Sequence, residues 1–423
     1  MLIEWVNHAS FIVEAGPVRL ICDPWLEGTA FNNGWSLLTP TRLAYEDFAS
    51  ITHIWFSHEH PDHFSPPNLK KIPEEFRRRI TVLFHETSDK RVARVCRSLN
   101  FTVQELPNCG SVELARDFRI VCGTNGLLDS WVAFFGEGKA LLNMNDCVFT
   151  RQQELLSIKR KIGKVDVLLS QFSYANWVGN PGDHESHKRH AQRKRSEMSK
   201  QIRMFEPSQF IPFASFVYFC HDENFFMNKD VNRISDIYQF TTTDLQTETV
   251  ILYPQDRWQV GTAALSSEAI RKYEGDFERA LSTRPMTSPE IDFEKLKQTA
   301  DAMVSKCVKA NSPIFLKAMA PAVVHLSDLK KDLELSFRHG LREVQGKQPD
   351  IIMSSDSLFY CMKTDWGGET LGINGRYQVP RGGHSRRFFQ FFRVPQYNSY
   401  GSSVNLKFMS SRIIEKTRNA LAI

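Results

Sequence analysis

The chain has 423 residues, of which 42% are hydrophobic and 24% charged, an ordinary balance for a globular protein and length enough for two domains. Its net charge of +5 is too small to mark a nucleic-acid binder, so no nucleic-acid partner is expected. No apolar run approaches the ~18 residues of a membrane helix, no basic leader region opens the chain, and the eight cysteines are scattered without a CxxC pair, which together predict a cytoplasmic protein with reduced thiols and no membrane partner.

The runs SFIVEAG and VRLICDPW are rich in β-formers and are split by Gly16 and Pro17, which predicts a hairpin. ITHIWFSH is an apolar strand that ends in a cluster of histidines. SPPNLKKIPEEFRRR reads as a loop and short helix, ITVLFHE as a strand, and KRVARVCRSLN as a helix with apolar positions at helical spacing. DFRIVCGTNG, SWVAFFGEG and KALLNMND predict three further strands with glycine turns. A helix is expected near 151–162, and KVDVLLSQF as a buried strand. Residues 182–206 form a long basic helical stretch, after which QFIPFASFVYFCHDEN returns to strand. Past a soft boundary near 260 the texture changes. Residues 264–310 are helical and charged, and 313–379 read as α plus β. The expectation is an α+β protein divided into 1–260 and 261–423.

The segment SHEHPDHFS, residues 57–65, carries the chemistry. Strand periodicity puts His58 and His60 on one side, and a loop returns Asp62 and His63 toward it. Imidazole nitrogen and carboxylate oxygen suit zinc, iron or manganese. Four such donors so close together can serve two neighbouring metals.

HxHxDH after a hydrophobic strand resembles the metallo-β-lactamase superfamily. The resemblance covers roughly residues 1–255 and implies an αββα sandwich with metals at the strand ends. NHAS (His8) resembles the GHxS-type start of some branches, and CDPW (Asp23, Pro24) their DP turn. NMNDC supplies Asp146 where the family has its metal-bridging aspartate, and FVYFCHDEN supplies His221 where the last metal-binding histidine is expected. The family's intermediate histidine has no counterpart in GTNGLLDSW. Asn125 stands there, with Asp129 four residues on. If Asp129 takes that place, the carboxylate-richer set favours iron or manganese over zinc. DPWLEGTAFNNGWSLL, LDSWVAFFGEGKALLNMNDC and the basic helix look like the catalytic part of the CMP-N-acetylneuraminate hydroxylase family. Those relatives are iron-dependent monooxygenases with a Rieske domain. The dispersed cysteines here do not make a Rieske centre, so the resemblance calls for an external electron donor.

The metal ligands expected on this basis are His58, His60, Asp62, His63, Asp129, Asp146 and His221, holding two divalent metals, with iron favoured over zinc or manganese. Asp62, His8 and Tyr174 are the catalytic candidates. The expected activity is oxygenation of a small substrate, with metals that bind and activate dioxygen. A hydrolase of lactones, esters or phosphoesters is the alternative, its metals lowering the pKa of water. The basic run Lys188–Arg203 favours an anionic substrate if it faces the pocket.

Other residues read more plainly. Strand alternation sets His53 on the face opposite His58. His85 ends the strand TVLFH and is a candidate for the pocket lining, as are Asp23 and the segment of Ser173, Tyr174 and Trp177. His184, Glu185, His187 and His190 sit among Lys188, Arg189 and Arg193, whose charge opposes a metal there. In RGGHSRRFFQFFRVP the phenylalanines are expected to face a core. The C-terminal segment PDIIMSSDSLFYCMKTDWGGETLGINGRYQV faintly resembles a sterol-carrier-like fold, here taken as a small α+β extension.

Overall fold

The computed structural model describes residues 1–126, 128–406 and 408. Two seven-stranded sheets stack face to face. The first runs, in spatial order, Arg257–Gln259, Leu2–Asn7, Ser10–Ala15, Val18–Cys22, His53–Trp55, Thr81–His85 and Thr102–Leu106. The second runs Glu248–Thr249, Gln209–Phe213, Val167–Gln171, Lys139–Asn143, Asp129–Gly136, Phe118–Asn125 and Gly110–Ala115. Between them lies a core that includes Trp5, Phe11, Trp55, Phe134 and Phe213. Helices cover the outer faces, so the expected αββα sandwich is present.

The strands Val18–Cys22, His53–Trp55, Thr81–His85 and Thr102–Leu106 pair in parallel. Their central residues are apolar on both faces because one face meets the opposite sheet and the other meets helices. Leu20 and Trp55 join the sandwich core, while Ile21 and Ile54 join the outer layer with Val92 and Cys96 of the helix Arg91–Ser98. The hairpin Phe118–Asn125/Asp129–Gly136 keeps its register by a close approach. Trp131 lies over Gly123, where a β-carbon would stand 2.2 Å from the indole ring.

The basic stretch is one helix, His184–Phe205, amphipathic rather than basic all round. His187, Ala191, Met198, Ile202 and Phe205 are buried along one stripe. Arg193 stays 67% exposed against Glu197, and Arg195 donates to Asn232 Oδ1 at 2.8 Å.

Beyond the boundary expected at 260, the helix Ser266–Ser282 still packs Ala269 and Tyr273 into the first core, and Trp5 Nε1 donates to the Tyr273 hydroxyl at 2.9 Å. A second core begins with Leu296. It holds a four-stranded sheet (Gly340–Glu343, Lys331–Ser336, Ala322–Leu326, Ile351–Met353) and helices including Ser355–Lys363, Gly367–Asn374 and Ser385–Ser399. Phe388, Phe391 and Phe392 are buried in it, as their pattern predicts.

The two cores are joined by Arg376, whose side chain is 0% exposed. Its guanidinium donates to Glu223 Oε2 (2.8 Å), the Asn32 carbonyl (2.7 Å), Asp356 Oδ2 (3.0 Å) and Ser288 Oγ (3.2 Å). Among the described residues no helix is long and apolar enough to cross a membrane.

Candidate metal centre

Strand ends bring the site together. His8 lies in the turn after Leu2–Asn7, Asp23 directly follows Val18–Cys22, the histidine cluster follows His53–Trp55, and Asp146 follows Lys139–Asn143. The loop after His58 closes on itself, with the His63 and Phe64 amides donating to the His60 carbonyl at 3.0 and 2.7 Å. That turn swings Asp62 and His63 back under His58.

Two groups of donors result, and they share His63. His58, His63 and Asp146 form one; His8, Asp62 and His63 form the other. In each group the ligand atoms all lie within 4.8 Å of one another. Asp146 Oδ2 stands 3.6 Å from His58 Nε2 and 3.7 Å from His63 Nε2. Asp62 Oδ2 stands 3.3 Å from both His63 Nε2 and His8 Nε2. His60 joins through Nδ1, 2.8 Å from His58 Nε2.

The far sides of the rings are held. Asp23 Oδ2 accepts from His63 Nδ1 at 3.0 Å, from Ser57 Oγ at 2.7 Å and from Asn145 Nδ2 at 2.7 Å. Asp23 Oδ1 takes the Ser57 amide at 2.7 Å. Ser57 Oγ also lies 2.9 Å from His58 Nδ1. With the proton held at Nδ1, Nε2 of His63 presents a lone pair inward, the arrangement seen in metal-ligating histidines.

The electrostatics call for a cation. Burial pushes His8, His58 and His60 below the usual imidazole range, so they are neutral and able to ligate. His63 goes the other way. Against its burial, the carboxylates Asp62, Asp146 and Asp23 raise it well above that range. Asp129 opens the strand Asp129–Gly136, and burial together with Asp146 holds its carboxyl well above the usual carboxylate range. Asp62 Oδ1, Asp146 Oδ1, His60 Nε2 and His8 Nδ1 are buried without a hydrogen-bond partner. The imidazole nitrogens and carboxylate oxygens that do converge, in the two groups that share His63, are a donor set that fits metal ions.

His58, His60, Asp62, His63, Asp129 and Asp146 are thus gathered in one place. His221 and Tyr174 are not. The strand Val217–Phe219 pairs with Trp35–Leu37 instead of joining the sandwich, which carries His221 to Asp222 (2.7 Å), to Ser288 Oγ (3.1 Å) and near Arg376. After the strand Gln209–Phe213, the Ala214 amide donates to the His8 carbonyl at 3.0 Å and holds it in place. His8 therefore enters the donor set that His221 leaves. Tyr174 donates its hydroxyl to the Met227 carbonyl at 2.5 Å and packs in an apolar cluster with Trp25, Phe31 and Trp35, so its expected catalytic role loses its free hydroxyl.

Of the basic run, Lys194 alone reaches inward. It is 15% exposed, bound to Gln171 Oε1 at 2.6 Å, and its charge acts on Asp129.

Two cavities flank the centre and share Glu59. One, of about 310 Å³, is bounded by His60, Phe31 and Phe64 on one side and by Tyr360, Trp366 and Glu369 of the C-terminal extension on the other. The other, of about 720 Å³, runs between His85 and the helix Ser385–Ser399. Glu369 escaped the sequence reading because nothing in its local pattern separates it from a surface glutamate. Burial now holds its carboxyl above the usual range, near His60.

Residues 2–120 match the beta-lactamase superfamily domain. The chain is 31% identical over 151 residues to the cytidine monophosphate-N-acetylneuraminic acid hydroxylase of Sus scrofa, covering 33% of this chain and 34% of that protein. It is 25% identical over 194 residues to a Mycolicibacterium smegmatis protein whose name carries a Rieske 2Fe-2S designation, covering 42% and 35%. The chain thus spans about a third of the length of these curated relatives. CmlA, a diiron beta-hydroxylase from Streptomyces venezuelae, aligns in structure with a TM-score of 0.44 and 17% identity, covering 61% of this chain and 54% of that one. A superfamily match over residues 2–120 and a distant, partial similarity to cytidine monophosphate-N-acetylneuraminic acid hydroxylases are thus what the chain shares with known proteins.

Proposed function

We propose that this chain is an oxygenase that holds two iron ions in the centre and hydroxylates a small organic substrate, with electrons delivered by a separate donor. One observation carries the reading. Where a third imidazole would complete the first site, Asn125 donates its amide to the Val148 carbonyl at 2.9 Å, and the nearby acid, whose carboxyl feels Asp146, His60 and His63, is Asp129. An added carboxylate lowers the net charge of the site, which favours the higher oxidation states of iron and opposes the acidified water that a hydrolase needs. The hydroxylase and Rieske names of the partial relatives support the same reading.

In this assignment His8, His58, His60, Asp62, His63, Asp129 and Asp146 would hold the irons, with His63 common to the two donor groups. When bound, the irons supply the redox chemistry by which dioxygen is reduced. The chain's own residues prepare the site. Asp23 fixes the proton of His63 at Nδ1, and Ser57 orients His58. Trp25, with its ring 5.9 Å from His8, and Phe31, 5.6 Å from His60, keep water from that side.

A metal-dependent hydrolase is the second reading, favoured by the superfamily match of residues 2–120. Metal analysis of the protein as isolated separates the two. The oxygenase reading expects iron, with oxygen uptake after reduction, and a shift toward zinc in Asn125→His. Two zinc ions with ester hydrolysis in the absence of reductant would overturn it.

A further inference from the structure

His85 ends the strand Thr81–His85, is 2% exposed, and has neither ring nitrogen hydrogen-bonded. A buried imidazole with both nitrogens unpaired loses a few kcal/mol of hydrogen bonding, so the site expects a polar visitor. Its ring lies against Phe84 (4.2 Å between centroids) and faces the cleft of about 720 Å³, a volume usual for small-molecule sites.

The opposite wall is the helix Ser385–Ser399. Arg393, Gln396, Tyr397 and Tyr400 line the cleft at the i, i+3, i+4, i+7 spacing of one helical face. Gln396 is engaged, donating to Glu369 Oε2 at 2.8 Å. Arg393 is exposed to the cleft and pairs with no carboxylate among the described residues. Two of the acids along the cleft have partners of their own, while Glu59 keeps Oε1 buried without one. Glu86 meets Lys90 at 3.2 Å, and Arg91 lies 3.4 Å from Asp89 and 3.9 Å from Glu59. One unpaired guanidinium therefore faces the cavity from the extension, and one unpaired imidazole faces it from the metal-bearing sandwich. Phe84, Leu128 and Tyr400 give the wall between them an apolar character.

We propose that this cleft binds the substrate, and that the substrate is a carboxylic acid with an apolar, aromatic-sized body and an amide or hydroxyl group. Arg393 anchors the carboxylate through its paired N–H donors. His85 hydrogen-bonds the amide or hydroxyl, and so fixes the end of the molecule nearest the metals. Both ring nitrogens of His85 are unpartnered, and a neutral imidazole offers one donor and one acceptor. The substrate class rests on the centre being an enzyme site, but the cleft's affinity does not depend on which metal fills that centre.

The test is calorimetric titration of the metal-loaded protein with N-acetylphenylalanine and with its neutral counterpart, N-acetylphenylalaninamide. The acid is expected to bind at least tenfold more tightly than the amide. Arg393→Gln is expected to bring the acid down to the amide's affinity and leave the amide unchanged. Arg386→Gln, on the same helix outside the cleft, leaves both unchanged. His85→Phe weakens both ligands, and His85→Gln, which keeps a donor and an acceptor, retains most of the binding. Arg393 is exposed, so its variant tests the anchor without disturbing the core. Equal affinity for acid and amide, no measurable binding of the acid, or an unchanged acid affinity in Arg393→Gln (the result if the carboxylate merely ligates the metals) overturns the proposal. A protein that holds zinc and hydrolyses esters, yet shows this pattern, fails the oxygenase reading and keeps the cleft.

Discussion

Replacing Asp23 by asparagine tests the chemistry of the centre without touching a metal-facing atom. Asp23 accepts at both oxygens. Oδ1 takes the Ser57 amide, and Oδ2 takes Ser57 Oγ, Asn145 Nδ2 and His63 Nδ1, at 2.7 to 3.0 Å. An asparagine supplies one acceptor and one donor in the same volume. In one orientation its NH₂ faces the N–H groups of Asn145 and His63. In the other it faces the Ser57 amide. The conflict is relieved at least cost if His63 moves its proton to Nε2, the nitrogen that faces Asp62 and Asp146. A protonated Nε2 cannot ligate. Loss of such an orienting partner generally costs about 10–100-fold in metal affinity, which is roughly 1.4–2.7 kcal/mol. Chelator competition on the folded variant measures it directly, with circular dichroism to confirm the fold. A folded Asp23→Asn protein that binds both metals as tightly as the unaltered protein would refute the assignment of His63 as a ligand held by Asp23.

Three further outcomes are expected. Asp146→Asn loses roughly half or more of the bound metal by elemental analysis, and more than Asp129→Asn does, because Asp146 faces both His58 and His63; equal losses would remove its bridging role. Arg376→Met leaves the half-buried Glu223 and Asp356 without their cation and destabilises the protein by about 1–3 kcal/mol in denaturant titration; a loss under about 1 kcal/mol would make the junction between the two cores a weak one. Glu334, 3% exposed, is held below the usual carboxylate range, with Lys347 and Arg342 outweighing its burial. A carboxyl lowered on folding adds stability above its unfolded pKa of about 4.3, and that stability is lost as pH falls through the folded value. Glu334→Gln therefore costs on the order of 1 kcal/mol at pH 7 and nothing at pH 2, as measured by thermal melts across that range.

The HxHxDH segment, read as a strand end followed by a returning loop, was enough to place His58, His60, Asp62 and His63 together, because those residues are near neighbours in the chain and strand periodicity orders them. Asp146 and Asp129 were legible through the resemblance to the metallo-β-lactamase superfamily, and Asp129 opens a strand while Asp146 follows one. The layered sandwich was likewise what that resemblance implied. His221 was misplaced because its position depends on which strand Val217–Phe219 pairs with, and three residues of β-rich sequence do not specify a partner. The choice of Trp35–Leu37 sent it toward Arg376 and left the Ala214 amide to hold His8 over the second group of donors. The basic run looked like an anion site because composition counts charges without saying where they point. Packing turned Met198, Ile202 and Phe205 inward, and the helix had to put most of its arginines in water. What no reading of the chain in order supplies is the contact between its distant parts. His85 and Arg393 are separated by 308 positions, and they share a cleft only because Arg376 and its partners lock the second core against the first. Local pattern determines elements and neighbouring ligands; long-range packing, whose free energy belongs to the assembled surfaces, decides which elements meet.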